Sequence, residues 1–564
     1  MDDPDALARL ATRVENLEQR ISALEHPSQT AASTPHSQAA GVAAHPTSGF
    51  SFAEAGGVFP VLGKAMLGIA GAYLLRAVAE SGSFPKLVVV VLALVYAGTW
   101  LVWAARVPTE ARLASTVYTA TAALIFAPMF WELTTRFAFL PTAGAAAILT
   151  VFAVTAYALG WKRGLVSVVW ITNIAVVVTT LALLIATRDL VPFILALLLM
   201  ALTSEVAALR NRWLLLRPLM AAAADLAVWI LLFIYTRPEG PPSEYKAIAT
   251  PVLLALGCGL FLIYGVSIVL RTALLRQRIR FFEIVEPVIA FLLAAFCVLR
   301  LGGSAGSTVV GAFCLLSSAA CYAVAYASFD RLAEQRNYHV YATWGGALFL
   351  AGCALILPQT LLALCLSMGA IVATVLGVRA SRVTLEFHGL AYLTAAAYTS
   401  GLLDYAGRAL VGTFPAAPGW IIWIVAASSV ACYAVGGRFR TEQWNQHFLQ
   451  LLSAILAVAA VITFLVSLLV WLATVGMATS PAEVAVIRTL ITCAVALALA
   501  FSGARWKRNE LLWIAYGTLA LVTAKLLFED LQHGHPGSTA VSIFLYALAL
   551  ILVPRMARVA RRAS

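Results

Sequence analysis

Charge is what this sequence has least of. Asp, Glu, Lys and Arg together make up 11% of the 564 residues, less than half the share usual in a soluble globular protein. So few charges cannot coat a soluble surface of this size, which excludes a soluble multidomain enzyme. Clustered thiols are also missing. Cys258, Cys297, Cys314, Cys321, Cys353, Cys365, Cys432 and Cys493 all fall inside apolar runs, with no CxxC pair. They read as small buried hydrophobes, not as a disulfide or zinc framework. Met1 to Asp5 are acidic and no apolar stretch precedes Val58, so no cleavable secretory signal is expected. Neither a phosphate-binding P-loop nor a paired-histidine zinc-protease helix is present, and no ATPase or metalloprotease reading survives.

What is abundant is apolar length. Hydrophobic residues are 62% of the chain, and runs of about 18–25 residues recur from Val58 onward, each long enough to cross a hydrocarbon core as a helix. The expected segments are 58–79, 86–105, 112–131, 141–160, 165–186, 190–208, 218–235, 248–270, 284–300, 307–327, 340–357, 360–378, 387–404, 419–436, 448–472, 484–503, 510–528 and 540–555. The fold class is an all-α polytopic transmembrane bundle of about eighteen helices, with a short coiled-coil helix in front. Pro358 is the point where two helices or one long broken unit fit the pattern equally.

The domain order is a coiled-coil helix at 1–25, a disordered linker at 26–57, a membrane domain at 58–556 and a basic tail at 557–564. Leu7, Val14 and Ile21 occupy heptad position a, and Leu10, Leu17 and Leu24 occupy d. Arg13 and Arg20 at g face Glu18 and Glu25 at e of a parallel neighbour. This pattern predicts a homo-oligomer, dimer or trimer. The alternative is a single amphipathic helix lying on the protein or the bilayer. The linker is rich in Pro, Ser, Thr, Ala and Gly and cannot bury a core.

The net charge of +12 does not point to nucleic acid, because the basic residues sit in short loops between apolar runs. Numbered from a cytoplasmic N terminus, loops on that side carry about 24 Lys and Arg and the opposite loops about eight. The asymmetry predicts an even helix count, cytoplasmic N and C termini and an inner-membrane location, with the lipid bilayer as the obligatory partner.

Charges within the membrane are the best functional pointers, because they are costly there. Lys64, Asp225, Arg488 and Lys525 lie inside expected helices, and Arg76, Glu80, Glu529 and Asp530 close helices at the expected outer level. Asp225 follows four alanines, so a neighbouring helix can approach it closely. It reads either as a proton- or cation-coupling carboxylate or as a structural acid paired with a base such as Lys64. Lys525 and Glu529 are four apart and share a face if their helix continues. With Arg488, Asp530, Arg76 and Glu80 they read either as an outward-facing site for an anionic head group or sugar, or as interfacial ion pairs. Asp530, His533 and His535 match a metal arrangement only loosely. No metal site, cofactor or catalytic residue is expected.

Two stretches carry a resemblance. Gly63-Lys64-Ala65-Met66-Leu67-Gly68 leads to Leu74-Leu75-Arg76 and Glu80-Ser81-Gly82, and Lys525-Leu526-Leu527-Phe528-Glu529-Asp530-Leu531 lies near the end. With the heptad helix, the Pro/Ala-rich linker and the long helix series, the layout resembles a family of bacterial multi-pass membrane proteins known only as domain of unknown function 2339. The resemblance implies an envelope role and carries over no activity. The functions it leaves open are a carrier or flippase for a lipid-linked or envelope-related substrate, a non-transporting oligomeric scaffold for envelope proteins, and a membrane-embedded transferase.

Overall fold

The computed structural model describes residues 52–108, 111–212, 214–329, 335–410, 418–436, 444–474, 481–506, 508–530 and 536–562. The heptad residues Leu7 to Leu24, the linker up to residue 51, and His533 and His535 lie outside the described residues. The chain divides into two units, Met1–Pro60 and Val61–Ser564. In the first, residues 52–60 are described and are helical, so the end of the segment 26–57, expected as a disordered linker, is helix from Phe52.

Every element among the described residues is helical. In chain order they are α1 (Pro60–Ser81), α2 (Lys86–Arg106), α3 (Arg112–Thr135), α4 (Thr142–Arg163), α5 (Val166–Thr187), α6 (Leu190–Leu209), α7 (Arg217–Tyr235), α8 (Thr250–Val269), α9 (Phe281–Leu301) and α10 (Gly306–Val324). The series continues with α11 (Gln335–Ile356), α12 (Gln359–Ala380), α13 (Val383–Thr399), α14 (Leu402–Leu410), α15 (Trp420–Gly436), α16 (Trp444–Thr474), α17 (Pro481–Arg505), α18 (Asn509–Lys525) and α19 (Pro536–Arg562). Among the described residues, sixteen helices are long and apolar enough to cross a membrane. The helices α13 and α15, at 17 residues each, fall just short of that length.

The long helices carry apolar side chains outside as well as inside. Leu67, Leu87, Leu316, Trp513 and Phe528 stand on the outside while Phe126, Phe193, Leu183 and Leu231 are buried. A soluble bundle keeps a polar outer face; a helix that is apolar all round needs lipid against it. This is the surface of a multi-pass membrane protein. Polar side chains inside the spans mostly bond to their own helix. Thr119 donates to the Ser115 carbonyl, Thr180 to Val176 and Thr463 to Ala459, at 2.6–2.7 Å, which removes the cost of an unpaired hydroxyl in an apolar medium.

Pro358 marks a chain reversal. Cys353 and Cys365 are twelve residues apart, about 18 Å along a straight helix, yet their sulfurs are 3.9 Å apart. The expected segment 387–404 is divided: α13 ends at Thr399, Gly401 adopts φ of +78°, and the short α14 follows. A left-handed residue cannot continue a right-handed helix. The last helix runs to Arg562, into the segment expected as a basic tail.

Small residues let helices meet closely. A Cβ on Gly68 of α1 would collide with the Trp100 ring of α2, and one on Gly389 of α13 with the Thr374 hydroxyl of α12. The largest core joins α2 through α9. Three helices, α8, α10 and α18, end in a wider π-helical turn, at Leu270–Leu274, Ala325–Phe329 and Leu526–Asp530.

Candidate functional site: buried charges shared by four helices

The loop end of α6 and the start of α7 bring Glu205 and Arg217 together. Arg217 is the first residue of α7, followed by Pro218, whose missing N–H costs nothing there. The Arg217 guanidinium donates from Nε and Nη2 to the two oxygens of Glu205 at 2.8 and 2.7 Å. Its Nη1 donates to Glu283 of α9 at 2.7 Å, and the group lies over the Phe282 ring. Arg271, in the π-turn that closes α8, sets its Nε 3.0 Å from the same Glu283 oxygen. It also donates to the Ala208 carbonyl at 3.3 Å. Ser267 donates to Glu205. These four charged side chains are at most 5% exposed. Glu283 also caps its own helix, accepting the Arg280 N–H at 2.9 Å.

This layer balances: two carboxylates, two guanidiniums. A second layer lies deeper along the same helix faces. Asp225 is eight residues beyond Arg217 on α7, about 12 Å into the span. Glu286 is three residues beyond Glu283 on α9, and Tyr264 is three before Ser267 on α8. The Asp225 and Glu286 carboxyl groups are in hydrogen-bonding contact. Asp225 Oδ1 and Glu286 Oε1 receive no hydrogen bond from a protein donor, and the Tyr264 hydroxyl has no protein partner. Glu286 and Tyr264 are 4% and 2% exposed. Tyr264 lies within the electrostatic field of Glu286, Glu205 and Asp225, and Tyr157 of α4 reaches the field of Glu205. The whole cluster therefore holds four carboxyl groups against two guanidiniums.

Among the residues singled out in the sequence, Asp225 belongs here, and its neighbour is an acid, not Lys64. Lys64 is exposed on α1, in a cavity it shares with Tyr96, Trp103 and Arg106. Arg76 and Glu80 join α3 instead of the C-terminal cluster. Arg76 pairs with Glu132 at 3.0 Å and with Glu80 at 3.3 Å, and Arg136 pairs with Glu80 at 3.0 Å. Arg76 and Glu132 line a mostly apolar cavity of about 310 Å³ between α1, α2 and α3.

The C-terminal cluster closes on itself. The Lys525 ammonium has three N–H groups, and it donates to Asp530 at 2.8 Å, to Thr489 at 3.0 Å and to the Ala485 carbonyl at 3.0 Å. No donor is left for an anionic ligand. Arg488 is buried and donates to the Arg408 carbonyl at 3.1 Å. Lys525 meets Asp530, five residues on. On an α-helix two such residues point about 140° apart, but the π-turn over Leu526–Asp530 brings them to one side. The Glu529 side chain is outside what is described.

Sequence reasoning missed Glu205, Glu283, Glu286 and Tyr264, and read Arg217 and Arg271 as loop charges that set topology. A signal was present. Glu205 and Glu286 fall inside the expected segments 190–208 and 284–300, so the criterion that selects Asp225 selects them too. The run Gly302-Gly303-Ser304-Ala305-Gly306 has serine-hydrolase elbow spacing, but it forms an exposed turn between two helices, not the strand-to-helix bend that chemistry uses. No group of three metal-binding side chains occurs among the described residues.

No family model, curated protein or solved structure matches this chain. What fold and site define is a class: an all-helical, multi-pass membrane protein with a buried charged cluster.

Proposed function

We propose that this protein is a membrane carrier for an envelope-related substrate, such as a lipid-linked sugar, and that the buried cluster of α6 to α9 is its working centre. The carrying observation is the cluster's surplus of carboxyl groups. A structural ion pair in a membrane bundle needs as many cations as anions, whereas Asp225 and Glu286 add two acids with no cation of their own. Ionisable groups in that state mark ion and substrate pathways. The resemblance of the stretches Gly63–Gly68 and Lys525–Leu531 to the uncharacterised envelope family supports the substrate class. In this reading the chain crosses the bacterial inner membrane eighteen times, with α13 and α15 as the short spans and both termini cytoplasmic. The basic loops support that orientation, and the cluster then lies toward the cytoplasmic side.

The test is leaflet exchange in vesicles. Purified protein is reconstituted with fluorescent polyprenyl-phosphate sugars, and an impermeant quencher reports which leaflet they occupy. Exchange above protein-free vesicles, lost in Asp225→Asn, is the expected result. Exchange equal to protein-free vesicles across the lipid panel overturns the carrier reading.

A further inference from the structure

We infer that Asp225 and Glu286 together hold one exchangeable proton, and that Tyr264 is the donor that stabilises the pair once the proton leaves. This deepens the carrier reading by naming the coupled ion.

Glu205 on α6, Arg217 on α7, Tyr264 and Arg271 from α8 and its π-turn, and Glu283 on α9 are the charged and titratable groups of the cluster, with Tyr157 of α4 at its edge. Both guanidiniums are already committed. Arg217 spends three N–H groups on Glu205 and Glu283, and Arg271 is held by Glu283 and the Ala208 carbonyl. Two carboxyl groups in contact inside the span, one buried and one half-buried, with neither guanidinium bonded to them, do not both ionise. Mutual repulsion and the loss of hydration add together, and a shared proton removes both costs.

Tyr264 supplies the second observation. Its hydroxyl is buried, has no protein partner and belongs to the same group of side chains. An orphaned buried hydroxyl costs free energy, so the arrangement needs a state in which it is used. That state is the deprotonated one. When the acid O–H of the pair breaks, the proton passes to water at the loop end of the helices, and the electron pair stays on the carboxylate. The phenol keeps its own proton and donates a hydrogen bond to the new charge. Rebinding reverses each event, so the cycle moves one proton and no electrons.

Infrared difference spectroscopy on the full-length protein in lipid nanodiscs tests this. A protonated-carboxyl C=O band that disappears as pH rises, and is missing in both Asp225→Asn and Glu286→Gln, is expected. Tyr264→Phe keeps both acids and should let the band survive about one pH unit higher, since a donor to the charged form has been removed. An identical band in wild type and both acid variants overturns the proposal. So does a band that sodium chloride abolishes at constant pH, which would make the pair a sodium site. If Tyr264→Phe titrates like wild type, the role of Tyr264 falls. Thermal unfolding of each variant shows that it is folded. A band that behaves as expected, with no leaflet exchange in vesicles, would leave the proton site standing and remove the carrier reading.

Discussion

Arg217 is the residue on which most of the cluster depends, since its guanidinium serves Glu205 and Glu283 at once. Removing one partner of a buried pair leaves an uncompensated charge, which costs far more than the pair contributes. Arg217→Ala is therefore expected to destabilise the protein by about 3–5 kcal/mol, read as a drop in thermal stability in detergent, while Arg237→Ala in an exposed loop should shift it little. Asp189 gives a pH-dependent counterpart outside the spans. Its partial burial pushes the carboxyl up, but the Lys246 ammonium at 2.7 Å and the Thr142 hydroxyl at 2.6 Å outweigh that and hold it below its ordinary value. A carboxyl lowered on folding stabilises above its unfolded pKa, about 3.9, and loses that contribution as pH falls through the lower folded value. Hydrogen exchange in the 236–249 loop, which Lys246 anchors, should stay slow at about pH 5 and quicken below about pH 4, and Asp189→Asn should abolish that step. At this scale the sequence was only partly legible. Asp225 announces itself as an acid among alanines, whereas Arg217 and Arg271 look like any loop arginine until packing buries them.

At the scale of elements, the helices were the legible part, because an unbroken apolar run in lipid has no other way to satisfy its backbone. The exceptions needed tertiary information. Nothing local distinguishes Lys525 with Glu529 from Lys525 with Asp530; the choice follows from the π-turn, which forms where it can bury that ion pair. The division at Gly401 likewise depends on a single backbone angle. Glycine placement makes the close helix contacts testable. Gly68 sits under the Trp100 ring, and Tyr96 of α2 donates to the Gly68 carbonyl at 2.7 Å. Gly68→Val would force α1 away from α2 and break that bond, an overpacking cost of about 1–3 kcal/mol. Gly98, with open space around its Cα hydrogens, should accept Ala without loss. Thermal melts of the two variants side by side check the contrast. A Gly68→Val protein as stable as wild type would mean that α1 does not pack on α2 as described.

For the molecule as a whole, orientation is the property on which the proposed function most depends. The loop-charge asymmetry counted Arg217 and Arg271, yet both are buried and neutralised by Glu205 and Glu283. A basic residue paired inside the bundle is a poor topology signal, so both should leave the count. About twenty-two against about eight remain, and the asymmetry survives. The structure adds an independent constraint. Glu205, Arg217, Arg271 and Glu283 sit at the loop ends of α6, α7, α8 and α9 and touch one another, so these four ends lie on one side of the bundle. The Arg188–Glu244 and Lys246–Asp189 pairs join the opposite ends. A single label on each side therefore fixes the orientation of this whole region. Glu239→Cys, in the loop between α7 and α8, is expected to react with an impermeant maleimide in intact spheroplasts. Arg163→Cys, at the end of α4, should react only after permeabilisation. The parent protein, whose eight cysteines all lie within helices, provides the background. The reverse labelling would place the charged cluster on the outer side, and protons would then enter the Asp225–Glu286 pair from outside the cell.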